Sequence, residues 1–286
     1  MAQWIVRMGE SWLKSKPVRR HFTQVIRNTL KAQCLVRGAS ASVRIDGGLM
    51  FVEGEDAENI EDALRHTFGV YAIDPYANIE PDPKEVAKAA LNSIAELDEG
   101  TSFAVRCKRH GQKGEWTSQT FAGATGAAIL DLAPHLTVNL SEPQWEIRIA
   151  LFPENARLLD ERIMGPGGLP SGVQGLIHAH LDCELDILSA WLMMRRGCRI
   201  EALSGEVDDL VQWDPILTNH PEVQSLVTGP GKNRVAEPWG IVGSRIENAP
   251  TTVGENEEVR TPLVNLEPLV GWSEKNIESL RTTVFN

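Results

Sequence analysis

Two groups of residues in this 286-residue chain are of types that do chemistry. The first is His178-Ala-His180-Leu-Asp182-Cys-Glu184-Leu-Asp186. Residues two apart on a strand share a face, so His178, His180 and Asp182 offer the donors of a metal-dependent hydrolase. Cys183 adds a thiol, but the carboxylates of Asp182 and Glu184 disfavour its thiolate and make it read as inert. The second group is cationic. Lys14, Lys16, Arg19 and Arg20 lie near the start, and Arg106, Lys108, Arg109 and Lys113 cluster near residue 110. Such patches neutralise phosphates; a single cluster also fits a solvated helix face.

The net charge is −11, but it is unevenly spread. Residues 1–50 carry a net +7, residues 51–100 a net −10, residues 101–150 a net +1 and residues 151–286 a net −9. An acidic whole still binds RNA through a basic face. The four cysteines, Cys34, Cys107, Cys183 and Cys198, form no Cys-x-x-Cys pair, which argues against a zinc ribbon or a disulfide framework. No run of eighteen apolar residues is present and the N-terminus lacks the pattern of a secretion signal, so a cytoplasmic protein without a membrane span is expected.

The elements that must position these groups follow from periodicity. Trp4–Met8 predicts a strand and Lys16–Lys31 an amphipathic helix, apolar at Val18, Phe22, Val25, Ile26 and Leu30. Ser42–Val52 predicts a hairpin around Asp46-Gly47, followed by a helix at Asn59–His66 and a strand at Tyr71–Ile73. A second α+β unit starts with a helix from Asp82-Pro83 through Ala95. It continues with a strand at Phe103–Arg109, a small-residue helix at Thr117–Leu130, and strands at Leu136–Leu140 and Trp145–Leu151. After Gly165-Pro-Gly-Gly-Leu-Pro-Ser-Gly172 the pattern becomes strand (Gly175–Leu181), helix (Glu184–Arg196, stopped by Gly197) and strand (Arg199–Leu203), the mark of a parallel sheet. Residues 226–260 read as loop. Trp116, beside the second basic cluster, suits either stacking on a base or a place in the core.

In this order the units resemble the tRNA 4-thiouridine synthetases. The resemblance rests on Val6-Arg-Met-Gly-Glu-Ser-Trp-Leu-Lys-Ser-Lys16, on Phe103–Gly111 with Val138-Asn-Leu-Ser-Glu-Pro143, on Gly167-Gly-Leu-Pro-Ser-Gly172, on Trp191-Leu-Met-Met-Arg-Arg-Gly197 and on Arg260–Ile277. It implies a ferredoxin-like domain (1–76) and a THUMP domain (77–164), both α+β. An α/β parallel-sheet domain of the PP-loop ATP-pyrophosphatase type (165–286) follows, shortened here. It also implies that tRNA is the partner, held by its acceptor stem and 3′ end, and that ATP and magnesium serve the family's chemistry. A homodimer, or an intact sulfurtransferase as partner, is a further implication.

The chain departs from the family where the nucleotide binds. The family's Ser-Gly-Gly-x-Asp-Ser loop aligns here with Leu181-Asp-Cys-Glu-Leu-Asp186. Glycines let backbone close around a phosphate, and serine hydroxyls donate to it. The carboxylates of Asp182, Glu184 and Asp186 repel it instead. The expectation is a tRNA-binding protein with impaired catalysis, no assigned catalytic residue, no metal site and no cofactor. The alternatives are an active tRNA uridine 4-sulfurtransferase, extending to thiazole sulfur transfer, and a hydrolase at His178 and His180. Only His220 follows those two histidines, and about 105 residues do not complete an amidohydrolase barrel.

Overall fold

The computed structural model describes residues 1–9, 14–46, 48–95, 97–111, 114–228, 237–243 and 263–285. Its first unit runs β1 (Ala2–Met8), α1 (Lys16–Val36), β2 (Ser42–Asp46), β3 (Leu49–Gly54), α2 (Ala57–Arg65) and β4 (Val70–Ile79). Pro17 opens α1, where its missing N–H costs nothing. Asp56 caps α2 by accepting from the Asn59 N–H at 3.2 Å. Ile26 and Leu30 of α1 and Ile60 and Leu64 of α2 pack on Trp4, Val6, Met50 and Val52. Alternation along the strands makes that one face of the sheet.

β4 joins the first two units. Its early residues pair with β1 and its later ones, Tyr76–Ile79, with β8 (Ala156–Leu159). The second unit holds α3 (Pro83–Asn92), β5 (Ser102–Arg109), α4 (Ser118–Leu132), β6 (Thr137–Val138), β7 (Trp145–Leu151), β8 and β9 (Ile163–Met164). One sheet therefore spans both units in the order β2-β3-β1-β4-β8-β7-β5-β6, with β9 also on β4. The expected boundary at residue 76 falls inside a single continuous strand. Val86, Ala87, Phe121 and Ile129 of α3 and α4 pack on Phe103, Ile147 and Ile149.

The third unit is a four-stranded parallel sheet, β11-β10-β12-β13. Its strands are β10 (Leu176–Leu181), β11 (Arg199–Gly205), β12 (Gly240–Val242) and β13 (Val264–Leu266). Helix α5 (Glu184–Arg195) joins β10 to β11; α6 (Asp208–Val211), α7 (Pro221–Thr228) and α8 (Glu274–Phe285) follow. Its core centres on Trp191 and Trp213, whose rings meet edge-on at 5.2 Å. Phe68 of the first unit stands 5.5 Å from both rings, so the third unit is packed onto the first. The buried Gln33 amide adds bonds of 2.9 Å to the carbonyls of both His66 and Gln212.

Several sequence expectations change in detail. Helix α3 stops at Asn92, where the Ser93 hydroxyl bonds the Ala90 carbonyl, instead of running through Ala95. The Leu136–Leu140 strand shrinks to Thr137–Val138. The Asn139 side chain accepts from the N–H groups of Ser141 and Glu142 at 3.1 Å each, which turns the chain. Strand β12 lies within the stretch expected to be loop; residues 229–236 and 244–262 lie outside the described residues, as does Gly47 of the hairpin. Among the described residues no helix is long and apolar enough to cross a membrane.

Candidate nucleic-acid interface

Register decides which cations meet. Arg106 lies opposite Arg148, Arg148 opposite Leu159, and Leu159 opposite Tyr76. Ile5 lies opposite both Phe51 and Asp74. By strand alternation these residues, with Arg7, Arg44, Lys108 and Arg157, share the sheet face opposite the helices. Cations from both α+β units are thus gathered on one surface.

The centre of that face is Asp74, fully buried at 0 % exposure. Arg7 Nε donates to its Oδ2 at 2.6 Å, Arg148 Nη1 to its Oδ1 at 3.1 Å, and Arg162 to both oxygens at 2.7 and 3.1 Å. Burial pushes the Asp74 carboxyl up, but the hydrogen bonds of Arg162 and Arg7 outweigh it and hold it below the ordinary aspartate value. Three guanidiniums on one carboxylate leave a local excess of positive charge. Beside them Arg157, 6 % exposed, packs its guanidinium 4.3 Å from the Phe51 ring centroid and 4.0 Å from that of Phe152. Its Nε and Nη1 have no hydrogen-bond partner, and desolvation lowers its pKa.

Of the cations singled out in the sequence, Arg106 and Lys108 lie exposed on this face. Arg106 pairs with Glu146 at 3.2 Å and donates to the Leu140 carbonyl at 2.6 Å. Arg109, half-buried, is on the other side of β5, and Lys113 lies outside the described residues. Lys14, Lys16, Arg19 and Arg20 lie at and just before the start of α1, which packs on the helix side of the sheet. Arg106 and Lys108 therefore do not share a face with the Lys14, Lys16, Arg19 and Arg20 group. Trp116 is half-buried, edge-on to Phe121 at 5.6 Å, and packs against the second unit's core. Arg7, Arg44, Arg148, Arg157 and Arg162 escaped sequence reasoning because each sits alone among apolar or acidic neighbours. Alternation within β1, β2, β7 and β8 was the available signal; it assigns a face only once the pairing is known.

The Leu181–Asp186 segment is a very short connection. β10 ends at Leu181 and α5 begins at Glu184, leaving Asp182 and Cys183 between them. The Asp186 carboxylate accepts from the Cys183 N–H at 3.2 Å, so a protein anion occupies the helix N-terminus. Asp182 accepts from the Ser204 hydroxyl at 2.8 Å, and Glu184 pairs with Arg281 of α8 at 2.5 Å. Cys183 is exposed. His178 bonds Glu201 at 3.1 Å and His180 bonds Ser204 at 2.7 Å, so β11 engages both rings. Among the described residues no three His, Cys, Asp or Glu side chains are grouped to hold a metal.

The glycine-rich segment is a clasp. Gly165 and Gly167 donate to the carbonyls of Tyr71 and Val70, and Leu169 donates to that of Arg195. Gly168 has φ +74°, and a Cβ there would stand 2.1 Å from the Arg195 carbonyl oxygen. Gly168→Ala combines that overlap with left-handed backbone and should cost about 2 kcal/mol or more. Urea denaturation checks this; an unchanged midpoint would show that the clasp bears no load.

Comparison with known proteins agrees with this architecture. Residues 3–73 match the model of the ThiI ferredoxin-like domain, and residues 80–159 that of the THUMP domain. A protein of Methanothermobacter thermautotrophicus named probable tRNA sulfurtransferase is 31 % identical over 208 residues, covering 70 % of this chain and 51 % of the relative. One of the same name from Methanosarcina acetivorans is 33 % identical over 203 residues, covering 68 % and 49 %. The chain thus spans about half the length of the curated relatives it matches. In fold it resembles PH1313 from Pyrococcus horikoshii Ot3, with a TM-score of 0.72, 23 % identity and 99 % of each chain covered. It also resembles a 4-thiouridine synthetase crystallised as an RNA complex with bound ATP, with a TM-score of 0.68, 18 % identity, and 99 % of this chain and 85 % of that one covered. With a ThiI ferredoxin-like domain and a THUMP domain in succession on one shared sheet, the chain is a ThiI-like THUMP-domain protein.

Proposed function

We propose that this chain is a tRNA-binding member of the family whose catalysis is impaired. The ferredoxin-like domain (1–76) and the THUMP domain (77–164) hold the acceptor stem and 3′ end. The third domain (165–286) serves as scaffold or dimerisation surface, in a cytoplasmic protein that presents tRNA to an intact sulfurtransferase. The observation that carries this reading is a contrast. Cations from two domains converge on one sheet face, while the β10–α5 connection has two residues and holds or adjoins Asp182, Glu184 and Asp186, in the segment that aligns with the family's nucleotide loop. A triphosphate approaching that connection meets carboxylates instead of free backbone N–H groups. ATP and magnesium do not fit the residues present.

Two titrations test the proposal. Filter binding with bulk tRNA should give salt-dependent affinity that falls when the CCA end is removed. Calorimetry with ATP and magnesium should show no saturable heat. ATP-to-AMP turnover in the presence of tRNA and a sulfur donor would instead establish an active tRNA sulfurtransferase. Salt-insensitive tRNA binding would refute the docking role.

A further inference from the structure

We propose that Arg7, Arg148 and Arg162, fixed by Asp74 at the seam of the two α+β domains, form a binding site for a phosphate group, and that its natural occupant is the terminal phosphate of an RNA chain. The site deepens the proposed RNA-binding reading and rests on it for the identity of the occupant.

Three features carry the assignment. The first is charge. Three guanidiniums around one buried carboxylate leave an excess of positive charge, which favours a phosphomonoester dianion over a singly charged backbone diester. The second is pre-organisation. Asp74 takes only part of each donor set: Nε of Arg7, Nη1 of Arg148, and Nε and Nη2 of Arg162. Arg148 Nη2 is held by the Asp160 carbonyl. Donors remain on all three side chains, each of which keeps part of its surface in solvent. Their orientation is set before any ligand arrives, which lowers the entropic cost of binding. The third is shape. The three arginines, with Arg106 and Lys108, supply the charge in a cleft of about 1010 Å³ that is otherwise lined mainly by small and apolar side chains of β5 and α4 and holds no carboxylate. Arg7, Arg148 and Arg162 are only 24, 20 and 38 % exposed. Partly sheltered donors of this kind suit a phosphate that projects from the end of a chain.

The test uses the full chain and two probes. Inorganic phosphate, compared with chloride at equal ionic strength, should raise the Tm of the wild type and not that of Arg162→Gln. Arg162 is the most exposed of the three, and its loss leaves Asp74 two partners, so this variant should keep the native circular dichroism. An acceptor-stem RNA with an intact CCA end, carrying either a 5′-monophosphate or a 5′-hydroxyl, should bind about 10-fold more tightly in the phosphorylated form. That ratio should fall to about 2 in Arg148→Gln and Arg162→Gln and survive in Lys88→Gln, at an exposed position of α3 outside the cleft. Phosphate stabilisation with no preference between the RNAs would keep the site but assign it to a backbone phosphate. Phosphate stabilisation with no RNA binding at all would keep the site and overturn the RNA-binding reading. RNA binding without 5′ preference and without phosphate stabilisation would overturn the site and leave the RNA-binding reading standing.

Discussion

Asp74→Ala should destabilise the native state by about 3 kcal/mol, more than any other single surface-face substitution in this protein. Three guanidiniums converge on that carboxylate, and its removal leaves them half-buried, mutually repelling and without their shared acceptor. The figure lies at the low end of the range for broken buried pairs because the arginines keep partial access to water, which screens their repulsion. Asp74→Asn should retain part of the stability, since an amide oxygen still accepts one or two of the bonds. Acid should reproduce the effect in the wild type. The folded-state pKa lies below the ordinary 3.8, so the native state binds fewer protons than the unfolded chain. The contribution is complete above the unfolded value and disappears as pH falls below it through the folded pKa. Chemical denaturation at pH 7 and at stepped pH values below 4 measures both effects. An Asp74→Ala protein with the wild-type midpoint would show that Asp74 does not hold the two domains' arginines together.

Reversing two exposed charges, Arg106→Glu with Lys108→Glu, should weaken tRNA binding about 30- to 100-fold near 0.1 M salt. The slope of log affinity against log salt should become shallower by about 2. Both side chains stand on the face where the domains' cations meet, and neither is part of a core, so stability should change little. The same reversal at Lys16 and Arg20 tests the other cluster. These residues stand at the start of α1, on the helix side of the sheet. If they contact the acceptor stem, the RNA must reach around the edge of the ferredoxin-like domain. If only the α1 pair affects affinity, the sheet face is not the RNA surface.

Helices α1, α2, α4 and α5 and strands β1, β5, β7 and β10 were readable because each combines a clear period with punctuation the backbone obeys. Pro17 opens α1 and Gly197, at φ +94°, closes α5. The strands that escaped, β8, β9, β12 and β13, are two to four residues long, and tertiary pairing alone makes them strands; helices α6, α7 and α8 escaped as well. The acidic character of the β10–α5 connection was equally legible, because a missing glycine is a local fact.

The order of the domains, the cationic front and the carboxylates of the β10–α5 connection are all written in runs of neighbouring residues, where periodicity and composition reach. The single sheet through β4, the meeting of Arg7, Arg148 and Arg162 on Asp74, and the separation of the two basic clusters are not. Residues 7, 74, 148 and 162 become neighbours only when strands pair in one register. A slip of one residue in its strand would send Arg7, Asp74 or Arg148 to the opposite face.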